Sequence, residues 1–362
     1  MAKDKDSSFG WVRRLVLNLF TGANLVTLFL LWVCCASTWV NPALHPRVSV
    51  IGLLFPIFLL LNLLFFVLWL IFKPRMIVVP VVGMLLCGKY ILDYCPLNFG
   101  SDKGDGELTV MSWNAGFFQN LPNDSMQLGI DYIIGTGADI VCLQESRPGQ
   151  VFSNAMDKSL QANGYSKDEK GSRVVLSRFP ILSSTSLKLE SDSSNSADAL
   201  ELLMGEDTLT LINVHLECYH FSLDEKDDYG SALASRDRNQ MKAEFKFLSG
   251  KLAYASRYRG MQVNTLEEYL DSLPPHRSVI LCGDFNDTPI SYAYQRIGKH
   301  LDNAFRARGK GLGISYREQK FPVRIDHIFY SHDWECTQAY VDEEETASDH
   351  YPVIASLKKR KK

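Results

Sequence analysis

Ser278-Val279-Ile280-Leu281-Cys282-Gly283-Asp284-Phe285-Asn286-Asp287 opens as an apolar run of strand length and closes on two carboxylates and an amide. An ordinary strand ends in turn residues, so this polar tail marks a strand that delivers chemistry to its end. The same construction recurs along the chain. Ser112-Trp113-Asn114 closes one apolar run, Leu143-Gln144-Glu145-Ser146 a second, and Asn213-Val214-His215-Leu216 a third. Arg324-Ile325-Asp326-His327 opens another, and Ser348-Asp349-His350-Tyr351-Pro352 leads into the last. Acids brought to one rim from several strands repel each other and are costly to desolvate without a partner. A divalent cation is the simplest remedy, and oxygen donors from Asp, Glu and Asn suit Mg²⁺ or Mn²⁺ better than zinc.

Outward from these ends, the spacing predicts strands over Leu108 to Trp113, Asp139 to Gln144, Arg173 to Leu176, Thr208 to Leu216, Ser278 to Cys282, Ile325 to Tyr330 and Tyr351 to Ala355. Ser125 can cap a helix that runs to Ile134. Ser235 to Tyr258 reads as a longer helix with Met241, Phe245, Phe247, Leu248 and Leu252 on a broad face. Ser191 to Asp198, Glu217 to Gly230 and Gly309 to Phe321 read as loops, and no repeat is present. The alternation predicts a mixed α/β domain with enough strands for two sheets.

These motifs, in this order, resemble the endonuclease/exonuclease/phosphatase superfamily of metal-dependent phosphoesterases over about Leu108 to Leu357. Each motif alone is weak, since Gly-Asp-Phe-Asn also suits an Asx turn and Ser-Asp-His a cap; six in register are specific. The resemblance implies a four-layer sandwich of two packed mixed β-sheets flanked by helices, with the site at one end. It implies Glu145 as principal metal ligand, with Asn114 and Asp349 near the ion, and Mg²⁺ as the metal, with Mn²⁺ as the alternative. It pairs His350 with Asp326, the carboxylate orienting the imidazole. Asp284 would align or deprotonate the attacking water, Asn286 would bond a non-bridging phosphate oxygen, and His215 would stabilise charge or protonate the leaving group. Whether Asp284 or His350 is the base stays open at this level. His327 reads as a structural histidine, His45 and His220 as bystanders, and Arg178 as structural because it precedes a Pro-terminated turn. One departure stands at Gly116, where the branch that cleaves abasic DNA carries an acid or amide. His215 instead matches the branches that include pancreatic deoxyribonuclease, bacterial sphingomyelinase and inositol-polyphosphate phosphatases.

The remaining chain, residues 1–97, is of another character. Leu15 to Leu44 and Val48 to Phe72 carry no charged side chain, and each exceeds the roughly 20 residues that span a bilayer. Met76 to Leu92 is a shorter third candidate, with Lys89 near its end, joined to the second by the turn Lys73-Pro74-Arg75. An N-terminal transmembrane helix bundle is therefore expected, with spans at about 15–40, 48–72 and 76–92. A linker at 98–107, the catalytic domain at 108–357 and a basic tail at 358–362 complete the expected layout. Lys3, Lys5, Arg13 and Arg14 precede the first span, which predicts a cytoplasmic N-terminus. Three spans would then put the catalytic domain outside the cytoplasm, and two would keep it within.

Charge and cysteine content narrow the function. The first 100 residues hold 8 Lys/Arg against 3 Asp/Glu, and the remaining 262 of the 362 hold 30 against 38. An acidic domain of that size gains little from counterion release on a polyphosphate, so nucleic acid is not the favoured partner. None of the eight cysteines has zinc-ligand spacing, and Cys142 and Cys282 sit in apolar runs that suit buried thiols. The expected function is a membrane-anchored phosphoester hydrolase, acting by in-line water attack on a lipid headgroup or small phosphoester and bound to the bilayer through its N-terminal helices. A membrane-anchored nuclease is the alternative within that chemistry. A silent scaffold is the alternative outside it, and intact motifs argue against it.

Overall fold

The structure is a computed structural model and describes residues 2–99, 106–116, 126–146, 154–191, 195–219, 238–317 and 322–360. Twelve strands form two six-stranded mixed sheets. In the first sheet are β1 (Leu108–Asn114), β2 (Ile140–Gln144), β3 (Ser166–Lys170), β4 (Arg173–Ser177), β11 (Trp334–Val341) and β12 (Val353–Lys359), in the order β11-β12-β1-β2-β4-β3. In the second are β5 (Ile181–Leu187), β6 (Ser196–Met204), β7 (Asp207–His215), β8 (Ser278–Asp284), β9 (Asp302–Asn303) and β10 (Asp326–Tyr330), in the order β5-β6-β7-β8-β10-β9. Only β1 with β2 and β7 with β8 pair in parallel.

Strand alternation sorts the side chains into layers. Leu108 and Val110 of β1, Ile140 and Cys142 of β2, Leu209 and Leu211 of β7, Ile280 and Cys282 of β8 and Ile328 of β10 share one core between the sheets. Their neighbours of opposite parity face outward. Met111, Trp113, Val141 and Leu143 pack under the helices Met126–Thr136 and Asn154–Ala162 through Ile130, Ile133 and Leu160. Val279, Leu281 and Phe329 pack under the helices Arg238–Ser272 and Tyr292–Ile297 through Val263, Leu266 and Ile297. The result is the four-layer sandwich expected from the sequence. Cys142 and Cys282 are fully buried, and all eight cysteines are free.

Four substantial strands went unread in the sequence: β3, β5, β6 and β11. The edge strand β5 is serine-rich and half-exposed, so it lacks a clear alternation. β6 begins inside the segment expected to be the loop Ser191 to Asp198, because Asp198 is buried in a strand against Arg173 of the facing sheet at 2.7 Å. The long helix reaches Ser272, well past Tyr258, while Ser125 and most of Glu217 to Gly230 lie outside the described residues.

At the N-terminus, helix α1 (Ala2–Ser37) packs against α3 (Phe55–Phe72), which follows a short helix α2 (Pro46–Ser49) and a 3₁₀ turn (Val50–Leu54). Trp11–Ser37 and Pro46–Phe72 are long and apolar enough to cross a membrane. Buried amides knit them together: Asn24 Nδ2 donates to Asn62 Oδ1 at 3.0 Å, and Trp69 Nε1 donates to Asn24 Oδ1 at 3.0 Å. Such bonds hold helices together where water cannot compete. The third segment is not the straight helix expected over 76–92. It breaks at Cys87 into α4 (Val78–Leu86) and α5 (Gly88–Tyr94), and the pair with its leading 3₁₀ turn is bent by 71°.

The bend has a chemical cause. Instead of reaching for headgroups, Lys89 bonds Gln295 of the catalytic domain. Asp93 accepts from Gln295 Nε2 at 2.9 Å and Arg306 Nε at 3.2 Å, and Arg324 Nη2 caps the helix on the carbonyls of Asp93 and Tyr94. These bonds turn α5 onto the catalytic domain.

Candidate active site

The parity that builds the inter-sheet core also builds the site. Continuing the same inward rows past the last apolar residue gives Asn114 in β1, Asn213 and His215 in β7, Asp284 in β8 and Asp326 in β10. Register brings them level: His215 lies opposite Asp284, and Asp326 opposite Asp284 on the other side. His327 has the opposite parity and faces the outer layer. There it is boxed by Phe285, Tyr294 and Phe329, with Nε2 donating to the Asp287 carbonyl at 3.1 Å. Burial, helped by Arg324, lowers its pKa to about 3, so it is neutral.

Glu145 follows β2, where alternation would send it outward. Its backbone is left-handed (φ 49°), a conformation that costs a non-glycine residue about 1–2 kcal/mol. That turn brings the carboxylate to Asn114 Nδ2 at 3.2 Å and His215 Nε2 at 3.5 Å. Asn114 Nδ2 also donates to Asp284 Oδ2 at 2.9 Å, so one amide links the two acids. Asn286 is left-handed as well (φ 50°). Its backbone N–H donates to Asp284 Oδ1 at 2.7 Å, and its side chain donates to the Leu216 carbonyl at 3.0 Å.

His350 arrives from the loop before β12. Its Nδ1 is 2.8 Å from Asp326 Oδ2 and its Nε2 is 3.9 Å from Asp284 Oδ2. Trp113 Nε1 donates to its carbonyl at 3.0 Å, and the ring of Tyr316 stands 4.9 Å away. Asp349 is exposed, and its carboxylate meets the Ser348 hydroxyl at 3.3 Å. Ser348 in turn donates to the Asn114 carbonyl at 2.8 Å, which ties this loop to the end of β1.

Two glycines allow the site to close. A Cβ on Gly283 (φ 145°) would stand 1.9 Å from the Val214 carbonyl oxygen, so only glycine lets β8 lie this close to β7. A Cβ on Gly116 (φ 50°) would meet Ser348 Oγ at 2.9 Å and Asp349 Oδ1 at 3.1 Å. A side chain at that position would have to push aside the Ser348 hydroxyl that ties this loop to β1.

Electrostatics set the protons. Burial first, and the neighbouring Asp326 charge second, raise the Asp284 carboxyl to about 7. Burial works to lower His350, but the charges of Asp326 and Asp284 outweigh it and raise the imidazole to about 10. Among the described residues, no lysine or arginine pairs with Glu145, Asp284, Asp326 or Asp349; the imidazoles of His215 and His350 are their only basic partners. Asp326 Oδ1 is buried without a hydrogen-bond partner. Ligand atoms of Asp284, Asp326 and His350 lie within 4.8 Å of one another. An oxygen-rich pocket with excess negative charge and an orphaned carboxylate oxygen fits a hard divalent cation. Asp284, Asp326 and His350 are the group of described side chains close enough together to hold such an ion.

The other expected basic residues stand away from this pocket. Arg178 covers the Tyr165 ring at 5.0 Å and donates to the Gly137 carbonyl at 3.1 Å, beside the start of β2 rather than its end. Arg173 is buried against Asp198. Sequence reading missed Arg259, a fully buried residue of the long helix whose Nε donates to Asp287 Oδ2 at 3.2 Å. Asp287 stands in the opening decapeptide, but nothing in the sequence points from it to position 259.

Comparison with known proteins agrees with this fold. The model of the Endonuclease/Exonuclease/phosphatase family matches residues 111–350, and that of a domain of unknown function (DUF8431) matches residues 17–94. No curated protein matches the sequence. Among solved structures, humanized D. rerio TDP2 superposes with a TM-score of 0.51 at 18% identity, covering 69% of this chain and 98% of that one. The human Nocturnin catalytic domain with bound sulfate gives a TM-score of 0.50 at 18% identity, covering 72% and 96%. At these identities the structural likeness speaks for the fold, and the family model, spanning most of the chain, speaks for descent. The chain belongs to the endonuclease/exonuclease/phosphatase family of metal-dependent phosphoester hydrolases.

Proposed function

We propose that the protein is a membrane-anchored hydrolase that uses Mg²⁺, with Mn²⁺ as a substitute, to cleave a phosphoester in the headgroup of a lipid. One observation carries this reading: two of the three site strands of the second sheet, β8 and β10, adjoin segments fastened to the ends of the membrane helices. Ile290, four residues beyond Asn286, packs in one apolar cluster with Leu31, Cys34 and Phe55, and a Cβ on Gly52 would stand 2.4 Å from its carbonyl oxygen. Arg324, two residues before Asp326, caps α5. Four residues reach at most about 14 Å, so the site lies within headgroup distance of the span ends.

The residues then divide the work. Glu145, Asn114 and Asp349 would hold the ion, which supplies charge neutralisation at the phosphoryl group. His350, held protonated between two carboxylates, has no lone pair to take a proton, whereas Asp284, with a pKa near neutrality, can accept one from water. Asp326 fixes the His350 ring through Nδ1 and leaves Nε2 as the donor. His215, between Glu145 and Asp284, is placed to donate to a phosphate or leaving-group oxygen. Phospholipid vesicles should be hydrolysed with Mg²⁺ present while a single-stranded oligodeoxynucleotide is left intact, as the acidic domain disfavours a long polyanion. Cleavage of the oligonucleotide with no action on vesicles would make the nuclease reading the better one.

The same contacts support an orientation. The catalytic domain meets the far end of α1, the 3₁₀ turn before α3, and α5, all on one side of the bundle. Arg13, Arg14, Lys73 and Arg75 lie at the opposite end, and basic residues favour the cytoplasm. The catalytic domain would therefore be extracytoplasmic. A phosphatase reporter fused after Gly106 should be active, and a reporter that works only in the cytoplasm should be silent there; the reverse would put the site in the cytoplasm.

A further inference from the structure

The parallel strands β7 and β8 part company just beyond the residues they carry to the site. They pair up to His215 opposite Asp284, and the next link runs from the Leu216 N–H to the Asp284 carbonyl at 2.9 Å. Past that point, side chains of the helix Arg238–Ser272 replace the ladder. Gln262 Oε1 accepts from the Glu217 N–H at 2.9 Å, and Arg259 Nη1 donates to the Glu217 carbonyl at 2.8 Å, so one helix satisfies both backbone polar groups of Glu217. Arg259 Nε reaches the chain beyond the other strand, at Asp287 Oδ2, 3.2 Å away. The arginine is 1% exposed, its Nη2 donates to Ser256 Oγ at 3.1 Å, and the ring of Tyr219 stands 4.3 Å from the guanidinium.

We infer that Arg259 is a positioning residue for the hydrolysis, which sets the spacing of His215 and Asn286 by clamping the chain just beyond each. The inference rests on the roles given above to those two residues and deepens them. Asn286 carries the argument on one side. Its left-handed backbone persists only where the surroundings hold it, and the residue after it is fixed twice: Arg259 holds the Asp287 carboxylate, and His327 Nε2 donates to the Asp287 carbonyl at 3.1 Å. On the other side, Arg259 holds the Glu217 carbonyl two residues beyond His215. Asn286 Nδ2 closes the circuit by donating to the Leu216 carbonyl at 3.0 Å. Arg259, Glu217, Leu216, Asn286 and Asp287 thus form one ring of bonds behind the pocket. A planar guanidinium can serve both acceptors at once in fixed directions, and a compact ammonium cannot. Stability alone does not call for this arrangement, because apolar side chains of similar volume fill such a space as well as a buried ion pair does.

The test compares the full chain in amphipol with Arg259→Lys, using Mn²⁺ and two diesters, methyl p-nitrophenyl phosphate and methyl phenyl phosphate, whose leaving oxygens differ in their need for a proton. For the p-nitrophenyl ester kcat should fall about 10- to 100-fold with KM changed less than about threefold, as expected when reacting groups shift by a fraction of an ångström to 1 Å. With His215 displaced, the loss for the phenyl ester should be at least about fivefold greater. A merely structural role would lower both equally, so equal losses, or a kcat within about twofold of the wild type, would overturn the inference. Ser256→Ala removes only the third partner of the guanidinium and should leave kcat within about twofold; a loss there as large as in Arg259→Lys would also overturn it. Hydrogen exchange read by mass spectrometry tests the clamp without turnover. The amides of Leu216, Glu217 and Asn286 should exchange at least about tenfold faster in Arg259→Lys, while Val279 to Leu281 keep the wild-type rate. Equal acceleration everywhere, or none at the three amides, would overturn the clamp. Should Arg259→Lys fail to fold, Arg259→Met combined with Asp287→Asn leaves no charge buried alone and should show the same losses. If His215→Ala lowers both esters equally, the donor role of His215 fails and exchange decides the clamp. If no ester is hydrolysed by the wild-type chain while the exchange pattern holds, the clamp stands and the hydrolase reading fails.

Discussion

His350→Ala lowers kcat by about two to four orders of magnitude, and Asp284→Ala by a similar factor, in proteins that remain folded. Each removes a group that handles a proton or a charge in the transition state, and losses of this size are usual for such groups. The two substitutions should not add, because His350 Nε2 and Asp284 face each other at 3.9 Å and act on the same event. His327→Ala is the internal control. That ring lies in the outer layer among Phe285, Tyr294 and Phe329, so its loss leaves a cavity and costs stability, with a much smaller effect on turnover. Steady-state kinetics together with thermal unfolding separates the two outcomes. Equal damage to kcat from His327→Ala and His350→Ala, in folded proteins, would assign the proton-handling role wrongly.

Glu145→Gln should raise the Mg²⁺ or Mn²⁺ concentration needed for half-maximal activity by about 10- to 100-fold, more than Asp349→Asn does, since the left-handed backbone at Glu145 is held to aim this carboxylate. Protons compete for the same pocket. Burial and the Asp326 charge raise Asp284 to about 7, and a cation held beside it by Glu145 and Asn114 would favour its ionised form. Metal affinity should therefore rise with pH through about 7. Calorimetric titration with Mn²⁺ at pH 6 and pH 8 reads this directly, and affinity that falls or stays level as pH rises would contradict it.

Much of the site was legible because strand ends carry it. Asn114, His215, Asp284 and Asp326 continue the inward rows of their strands, Asp284 and Asp326 directly beside apolar neighbours and Asn114 and His215 one step beyond Ser112 and Asn213, and His350 and His327 stand on opposite sides of the second sheet. The parts that were not legible depend on partners distant in sequence or on backbone geometry. Nothing near Glu145 announces its positive φ, and nothing in Asp198 reveals an Arg173 in the facing sheet to permit its burial in β6. The break at Cys87 follows from bonds that α5 makes with Gln295, Arg306 and Arg324, more than 200 residues away. Hydropathy read the same stretch as one continuous span. Arg259 was missed for the same reason, since a buried arginine inside a helix is recognised only by the carboxylate it meets.

The acid-lined pocket at one end of the sandwich should cleave phosphoesters only with a divalent cation in place. The most direct measurement strips the full chain of metal with a chelator, removes the chelator, and follows hydrolysis of bis(p-nitrophenyl) phosphate before and after Mg²⁺ or Mn²⁺ is added. No hydrolysis is expected in the stripped protein and recovery is expected on addition of the ion, with Glu145→Gln recovering only at higher concentrations. Full activity in the stripped protein before any ion is added would contradict this requirement.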